Sequence, residues 1–417
     1  MAGETECFVY ITLPGETAAV TAGRLRCSAT AQGIRKAQFV YGRSYLARKD
    51  AVEIDPIDLR LQTLTLETTA QYGLFGALRD AAPDYWGRRV IDRHTGAGLS
   101  ELDYLLHSPN DRAGALGFGF GVQPPAPLRQ YNQTLQLEML QELADRLIRE
   151  DQITGPDALQ VEELLLLGTS MGGARPKAVV EDGQGLWLAK FNRQDDRWNM
   201  ARVEHAMLLL ARECGLDTPP SRVDVVGNRD VLLVKRFDRA VTKSGYTRAR
   251  MVSALTLLQA DESNRERWSY VVLSEQLRRV SEQPKEDATE LFRRMVFNAL
   301  ISNTDDHPRN HAVIAPARGW RLSPAYDLTP TSPVAVDRRD LAMQCGDLGR
   351  WAYMPNLLSQ CGRFLLSESE AISISSVMQA IVRDRWYALC RACGVSEVDC
   401  SRIAGAFVYP GFNLASK

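Results

Sequence analysis

Several things are missing from this chain, and each absence narrows what it can do. It has no excess of charge of either sign: 50 Lys and Arg face 51 Asp and Glu, a formal net charge of −1. So neutral a chain has no general attraction for nucleic acid or an anionic membrane, and any such contact needs a local patch. No apolar run approaches the ~20 residues that span a bilayer. The start, Met1-Ala2-Gly3-Glu4-Thr5-Glu6-Cys7, is acidic and lacks the basic region of a secretory signal. No Gly-x4-Gly-Lys-Ser/Thr occurs, which argues against a P-loop ATPase. Internal repeats, low-complexity tracts and a convincing helix-turn-helix are absent as well. Eight cysteines are scattered, and the one Cys-x-x-Cys, Cys390 to Cys393, has no second pair or nearby His to complete a zinc set. The expectation is a reduced, cytoplasmic protein without membrane contact, its Cys390 and Cys393 packed in a core.

What is present suits a globular protein, with 45% hydrophobic and 24% charged residues in 417. That length exceeds one compact core and suggests two or three domains. Strand-like runs at 8–11, 37–41 and 61–64 open the chain, with Gly-bearing turns between the first two. A helical part follows. The Gly-rich run 114–119 and the Pro-rich run 123–127 suggest a boundary near 125. A helix is expected at 135–149, strands at 176–180 and 186–191 around the turn Asp182-Gly183-Gln184-Gly185, a helix at 199–214 capped by Gly215, and a strand at 231–234. Beyond about 245 the chain reads as mostly helical. The domain division is therefore 1–125, 126–245 and 246–417.

The chemistry concentrates in Thr304-Asp305-Asp306-His307-Pro308-Arg309-Asn310, with Asp327 of a Tyr326-Asp327 pair seventeen residues further on. An Asp, four residues, an Asn and a later Asp is how a phosphotransferase builds its site. Asp305 would orient the attacking hydroxyl, while Asn310 and Asp327 would hold Mg2+ against the phosphates. Asp306 is the weaker competitor for the base role. Before the motif, Leu291, Met295 and Ala299 share one helical stripe and Phe292, Val296 and Leu300 the neighbouring one, so a buried helix delivers Asp305 on a loop. A hairpin at 311–322 then leads to Asp327. His307 either holds the loop through hydrogen bonds or is plainly structural; His311 is expected to be structural.

Lys190 interrupts an apolar strand, where a Lys is costly to bury without an anion. In kinases such a Lys contacts the nucleotide phosphates and pairs with a helix Glu. Glu204 can play that part, since Met207 and Leu208 at i+3 and i+4 place it on a core-facing stripe; a snorkelling Lys and a solvated Glu are the plain alternative. Ser170-Met171-Gly172-Gly173-Ala174 precedes a strand, where backbone N–H groups can cradle phosphate, though Gly pairs also make ordinary turns. Lys235-Arg236-Phe237-Asp238 falls where a hinge would meet adenine through its backbone, Lys235 and Phe237 being the candidates, or is simply an exposed strand end.

Taken in order along nearly the whole chain, these motifs resemble the HipA-like serine/threonine kinases, the toxin half of bacterial HipBA-type toxin–antitoxin modules. The resemblance rests on Asp84-Tyr85-Trp86-Gly87-Arg88, on the stretch from Ser170 to Lys177, on Thr304 to His311 and on Pro324-Ala325-Tyr326-Asp327. It implies an α+β, two-lobed, protein-kinase-like fold with a β-rich N-terminal domain and a mostly helical C-terminal lobe, and ATP and Mg2+ as cofactors. It implies that Ser170 matches a serine autophosphorylated in the family, which ejects the loop and disables ATP binding. It further implies a helix-turn-helix HipB-like antitoxin, through which DNA is met only indirectly, and an aminoacyl-tRNA synthetase as protein substrate. Two features depart from ordinary protein kinases: His307 follows the Asp instead of preceding it, and Asp327 is followed by Leu-Thr rather than Phe-Gly. Two other functions share parts of this pattern: a small-molecule phosphotransferase of the aminoglycoside- or lipid-kinase type, and a non-catalytic nucleotide-sensing partner of a DNA-binding repressor.

Overall fold

Cys7, Val9 and Ile11 alternate along the strand Thr5–Thr12 and are at most 1% exposed, and from Val9 onward the opposite face is covered too, with Tyr10 and Thr12 2% exposed. In the computed structural model, which describes residues 5–29, 33–96, 98–127, 130–149, 175–331 and 335–413, that strand belongs to a five-stranded antiparallel sheet. Its order is Leu66–Thr68, Arg35–Tyr41, Ala19–Ala29, Thr5–Thr12, Leu116–Gly119.

Two expectations are corrected in this region. The stretch between the first two strands is not all turn, because it holds the eleven-residue strand Ala19–Ala29. Its Ala- and Gly-rich sequence has low strand propensity, and it forms because it is paired on both sides, Cys27 with Thr5 and Gly23 with Tyr41. Gly23 is required by close approach: a Cβ there would lie 2.3 Å from the Val40 carbonyl oxygen and 2.6 Å from the Phe39 ring. The run 61–64 is irregular chain, not a strand, with Leu61 and Leu64 exposed; the strand starts at Leu66. The Gly-rich run near 116 is itself an edge strand, where a Cβ on Gly119 would meet the Tyr10 hydroxyl at 2.8 Å.

The described chain divides into two units. The first comprises Met1–Phe191, Lys235–Asp261 and Ile314–Gly319; the second comprises Asn192–Val234, Glu262–Val313 and Trp320–Lys417. Besides its five-stranded sheet, the first unit contains the antiparallel pair Lys177–Asp182 and Gly185–Phe191, with Asn132–Gln133 parallel to the former. Asp182 closes the turn by accepting from the Gln184 N–H at 2.7 Å and the Trp187 indole N–H at 2.8 Å. The helix expected at 135–149 runs over Leu137–Ile148. Arg250 ties the late segment to the early one: its guanidinium pairs with Glu53 at 2.9 Å and donates to the carbonyls of Ala317 and Arg318 at 2.9 and 2.6 Å.

Beneath the first unit's surface lies a charged centre. Arg236 pairs with Asp111 at 2.7 Å and with Asp238 at 2.9 Å, and Arg239 with Asp238 at 2.7 Å, all four side chains at most 2% exposed. The Gly114 N–H donates to Asp238 at 2.9 Å. Arg236, Arg239 and Arg248 all donate to the Arg112 carbonyl. Each charge is thus met by an opposite charge or a backbone dipole, as burial demands.

The second unit is mainly helical. Met200–Glu213 begins at Asn199, whose side chain caps the Arg202 N–H at 3.1 Å, and stops before Gly215 at φ +82°, as the sequence suggested. Around it are the helices Tyr270–Val280, Pro284–Leu300 and Glu368–Ala392 and the strand pair Ser221–Val226 and Arg229–Lys235. The two predicted stripes of Pro284–Leu300 are fully buried. Cys390 is buried and Cys393 half-buried at the end of Glu368–Ala392. No described helix is long and apolar enough to cross a membrane.

Candidate functional site

The helix Pro284–Leu300 ends at Ile301, and the chain turns sharply through Ser302 at φ +52°. Asp305 and Asp306 then face opposite environments. Asp305 is exposed, and its carboxylate makes no hydrogen bond to any described residue. Its carbonyl, by contrast, is fixed by the His307 N–H at 2.8 Å and the Asn310 side-chain amide at 3.3 Å. Asp306 is 1% exposed, and its Oδ2 accepts from the Tyr270 hydroxyl and, at 2.8 Å, from His311 Nε2. A carboxylate so placed has no access to a substrate hydroxyl, so Asp305 is the group left available.

Asn310 is 9% exposed on a single 3-10 turn, Pro308–Asn310. Its amide nitrogen donates to the Asp305 carbonyl, and its oxygen accepts no bond from the described residues. Ser323 donates its N–H to the Ala312 carbonyl at 2.9 Å, closing the expected hairpin between Ala312–Ala315 and Arg321–Leu322. Asp327 follows it, half-buried and in the left-handed region at φ +56°, with its carbonyl held by Asn303 Nδ2 at 3.3 Å. The Tyr326 hydroxyl donates to the Arg309 carbonyl at 2.9 Å, which ties the two motifs together.

The His307 imidazole does not hold the loop. Its ring lies edge-on to Trp268 at 6.4 Å, its Nδ1 has no partner among the described residues, and the loop is held by backbone bonds and by the side chains of Asn310, His311 and Tyr326 instead. His311 is structural, as expected, through its bond to Asp306.

Glu204 is 6% exposed on the core side of its helix in the second unit. Lys190 lies in the first unit, half-buried on Gly185–Phe191. Directly opposite Lys190 across the strand pair is Lys177, 3% exposed. Sequence reading did not single out Lys177 as a site residue, although the turn it placed at Asp182 to Gly185 carries the register back to this pair. Two cross-strand lysines put like charges on one face, an arrangement that favours an anion beside them. Lys235 is half-buried, its ammonium 5.9 Å from the Trp187 ring centre, and Phe237 is half-buried as well. The segment is not a plain exposed strand end, because Arg236 and Asp238 between and beyond them are buried. Ser170, Gly172, Gly173 and Ala174 lie outside the described residues.

Comparison with known proteins follows the same lines. A family model described as HipA-like C-terminal domain matches residues 169–396, more than half of the chain. A Haemophilus influenzae protein named "Putative kinase" is 25% identical over 185 residues, 40% of this chain and 54% of that protein. "Putative kinase Y4dM" of Sinorhizobium fredii is 31% identical over 162 residues, 36% of this chain and 38% of that protein. The chain thus spans about half or less of the length of the curated relatives it matches. Among solved structures, the Shewanella oneidensis MR-1 toxin–antitoxin complex of HipA, HipB and operator DNA contains a chain of the same fold. The TM-score is 0.69 at 17% identity, covering 95% of this chain and 94% of that one.

Proposed function

The chain belongs to the HipA-like kinase family, and on that footing we propose that it is an ATP- and Mg2+-dependent serine/threonine protein kinase, the toxin of a type II toxin–antitoxin module. One observation carries the reading: of two neighbouring aspartates, Asp306 is buried and bonded while Asp305 is exposed with a free carboxylate. An exposed, rigidly mounted carboxylate can accept the proton of a substrate hydroxyl and aim its oxygen.

The oxygen donors of Asn310 and Asp327 suit Mg2+, which prefers one or two protein oxygens alongside phosphate. When bound, Mg2+-ATP supplies the activated γ-phosphoryl group and the neutralising charge. The chain's own part is positional. Lys190, with Lys177 opposite, offers positive charge for phosphates, and Glu204 is the candidate to orient Lys190. The backbone at Lys235 and Phe237 would meet the adenine. The loop bearing Ser170, Gly172, Gly173 and Ala174 would cradle phosphate. Phosphorylation of Ser170 would add about −1.5 to −2 charge there and expel the nucleotide. The fold shared with a HipA that is bound to HipB and operator DNA supports a HipB-like antitoxin as partner. An aminoacyl-tRNA synthetase is the substrate class carried over from the family.

Labelled ATP with Mg2+ should transfer phosphate to the chain itself, and Asp305→Ala should cut that rate by roughly 10²–10⁴-fold, the usual weight of a general base. Undiminished transfer in Asp305→Ala rejects the assignment. Mass spectrometry should find the phosphate on the peptide holding Ser170. Expression should arrest growth, with relief in Asp327→Ala.

A further inference from the structure

Behind the phosphotransfer residues runs a line of polar side chains that the proposed chemistry does not itself use. Tyr270, Asn298, Asn303, Asp306 and His311 are all at most 2% exposed. Starting from Asp327, its carbonyl accepts from Asn303 Nδ2 at 3.3 Å, and the same amide donates to Asn298 Oδ1 at 3.1 Å. Asn298 Nδ2 donates to the Tyr270 hydroxyl at 3.4 Å, and that hydroxyl donates to Asp306. His311 completes the line on the other side of the carboxylate.

The direction of every bond follows from the Asp306 end. An ionised carboxylate only accepts, so Tyr270 must donate to it and can then accept only from Asn298. This fixes Asn298 with its oxygen toward Asn303, and Asn303 with both amide hydrogens spent, one on Asn298 and one on Asp327. Burial and the adjoining carboxylate push the Tyr270 phenol well above its ordinary value, so it keeps the proton it must donate. A chain with a single consistent direction permits one arrangement of its ends. If filling space were the only need, apolar side chains would serve without the desolvation cost of five polar groups.

We propose that Tyr270 and the Asn298–Asn303 pair are positioning residues that hold Asp305 and Asp327 in register with each other. At one end the relay clamps Asp306, whose peptide carries Asp305. At the other it clamps the carbonyl of Asp327, a residue held in the left-handed region at φ +56°. Tyr270 itself touches neither group. The inference rests on the kinase reading above for its consequence, though not for its geometry.

The test uses the full chain. Tyr270→Phe removes one hydroxyl and leaves the ring. In single-turnover autophosphorylation the rate at saturating ATP should fall by roughly tenfold or more, the half-saturating ATP should move less than about twofold, and the Mg2+ needed for half-maximal rate should rise. Asn303→Ala should do the same, and the double variant should be no slower than the worse single one, because the relay acts as a unit. Hydrogen exchange should quicken in both 303–311 and 325–329 in Tyr270→Phe. An unchanged rate and Mg2+ dependence, strictly multiplicative rate losses, or faster exchange confined to the neighbourhood of 270 would each overturn the relay. A wild-type chain that transfers no phosphate defeats the kinase reading alone, and the exchange pattern then decides the relay by itself.

Discussion

The two units bury charge in different ways. In the first, Arg236, Arg239, Asp111 and Asp238 meet as opposite charges at 2.7–2.9 Å, with further bonds to the Gly114 N–H and the Arg112 carbonyl, although one carboxylate oxygen, Asp111 Oδ2, is unpartnered among the described residues. In the second, Asp306 is buried beside a phenol and an imidazole, with no guanidinium or ammonium bonded to it and one oxygen likewise unpartnered among the described residues. The first arrangement compensates each charge and can only be damaged by removing a partner. The second spends its bonds on direction, and it lies next to the residues assigned to phosphate transfer. Buried charge alone therefore does not mark a site; beside the proposed site it is bonded in a single direction, through a phenol.

The comparison can be broken most forcefully in the first unit. Arg236→Met leaves Asp111 and Asp238 short of a partner and should cost about 3–5 kcal/mol in denaturant unfolding. It should destabilise the chain more than Tyr270→Phe does. Tyr270→Phe should cost less, about 1–3 kcal/mol, while exceeding Arg236→Met in its effect per folded molecule on transfer.

The centres should also fail at opposite ends of the pH scale. Burial alone would raise the Asp238 carboxyl, but Arg236 and Arg239 outweigh it and hold the group well below the usual carboxylate range. Its contribution is then complete above about pH 4, the ordinary carboxylate value, and is lost as pH falls further. Tyr270 is shifted up, so its contribution is complete below about pH 10 and is lost as pH rises through the folded-state value. Unfolding midpoints across pH should lose part of their acid limb in Asp238→Asn and part of their alkaline limb in Tyr270→Phe. The smallest effect belongs outside both centres. Leu64, 69% exposed, should tolerate Ser within about 0.5 kcal/mol.

Much of the second unit was legible because its signals are local. Asn199 and Gly215 punctuate one helix, and the stripes of Leu291 and Phe292 declare another. The same locality exposed Asp305, Asn310 and Asp327, which lie within 23 residues of one another. Tyr270 was invisible for the opposite reason: it stands 35 residues before Asp305, and nothing in its own helix hints at a carboxylate partner. The strand Ala19–Ala29 was missed because its pairing partners, not its residues, make it a strand. Conversely, Leu61 to Leu64 mimics strand composition without a neighbour to pair with. Arg236 and Asp238 read as surface residues because a sequence does not reveal that Asp111, 125 residues earlier, waits beside them.

The clasp that Arg250 makes with Glu53 and with the carbonyls of Ala317 and Arg318 bears on how the protein is made. The first unit draws on three stretches of chain, the last ending at Gly319. A ribosome delivering this protein cannot release a finished first unit until residue 319 has been made. Closure of such distant ends is slow relative to local helix formation. Products that terminate before residue 317 would keep the Arg250–Glu53 pair but lack the two carbonyls that complete the clasp, and newly made chains would leave the first unit unfinished, and open to proteases, until that stretch is made.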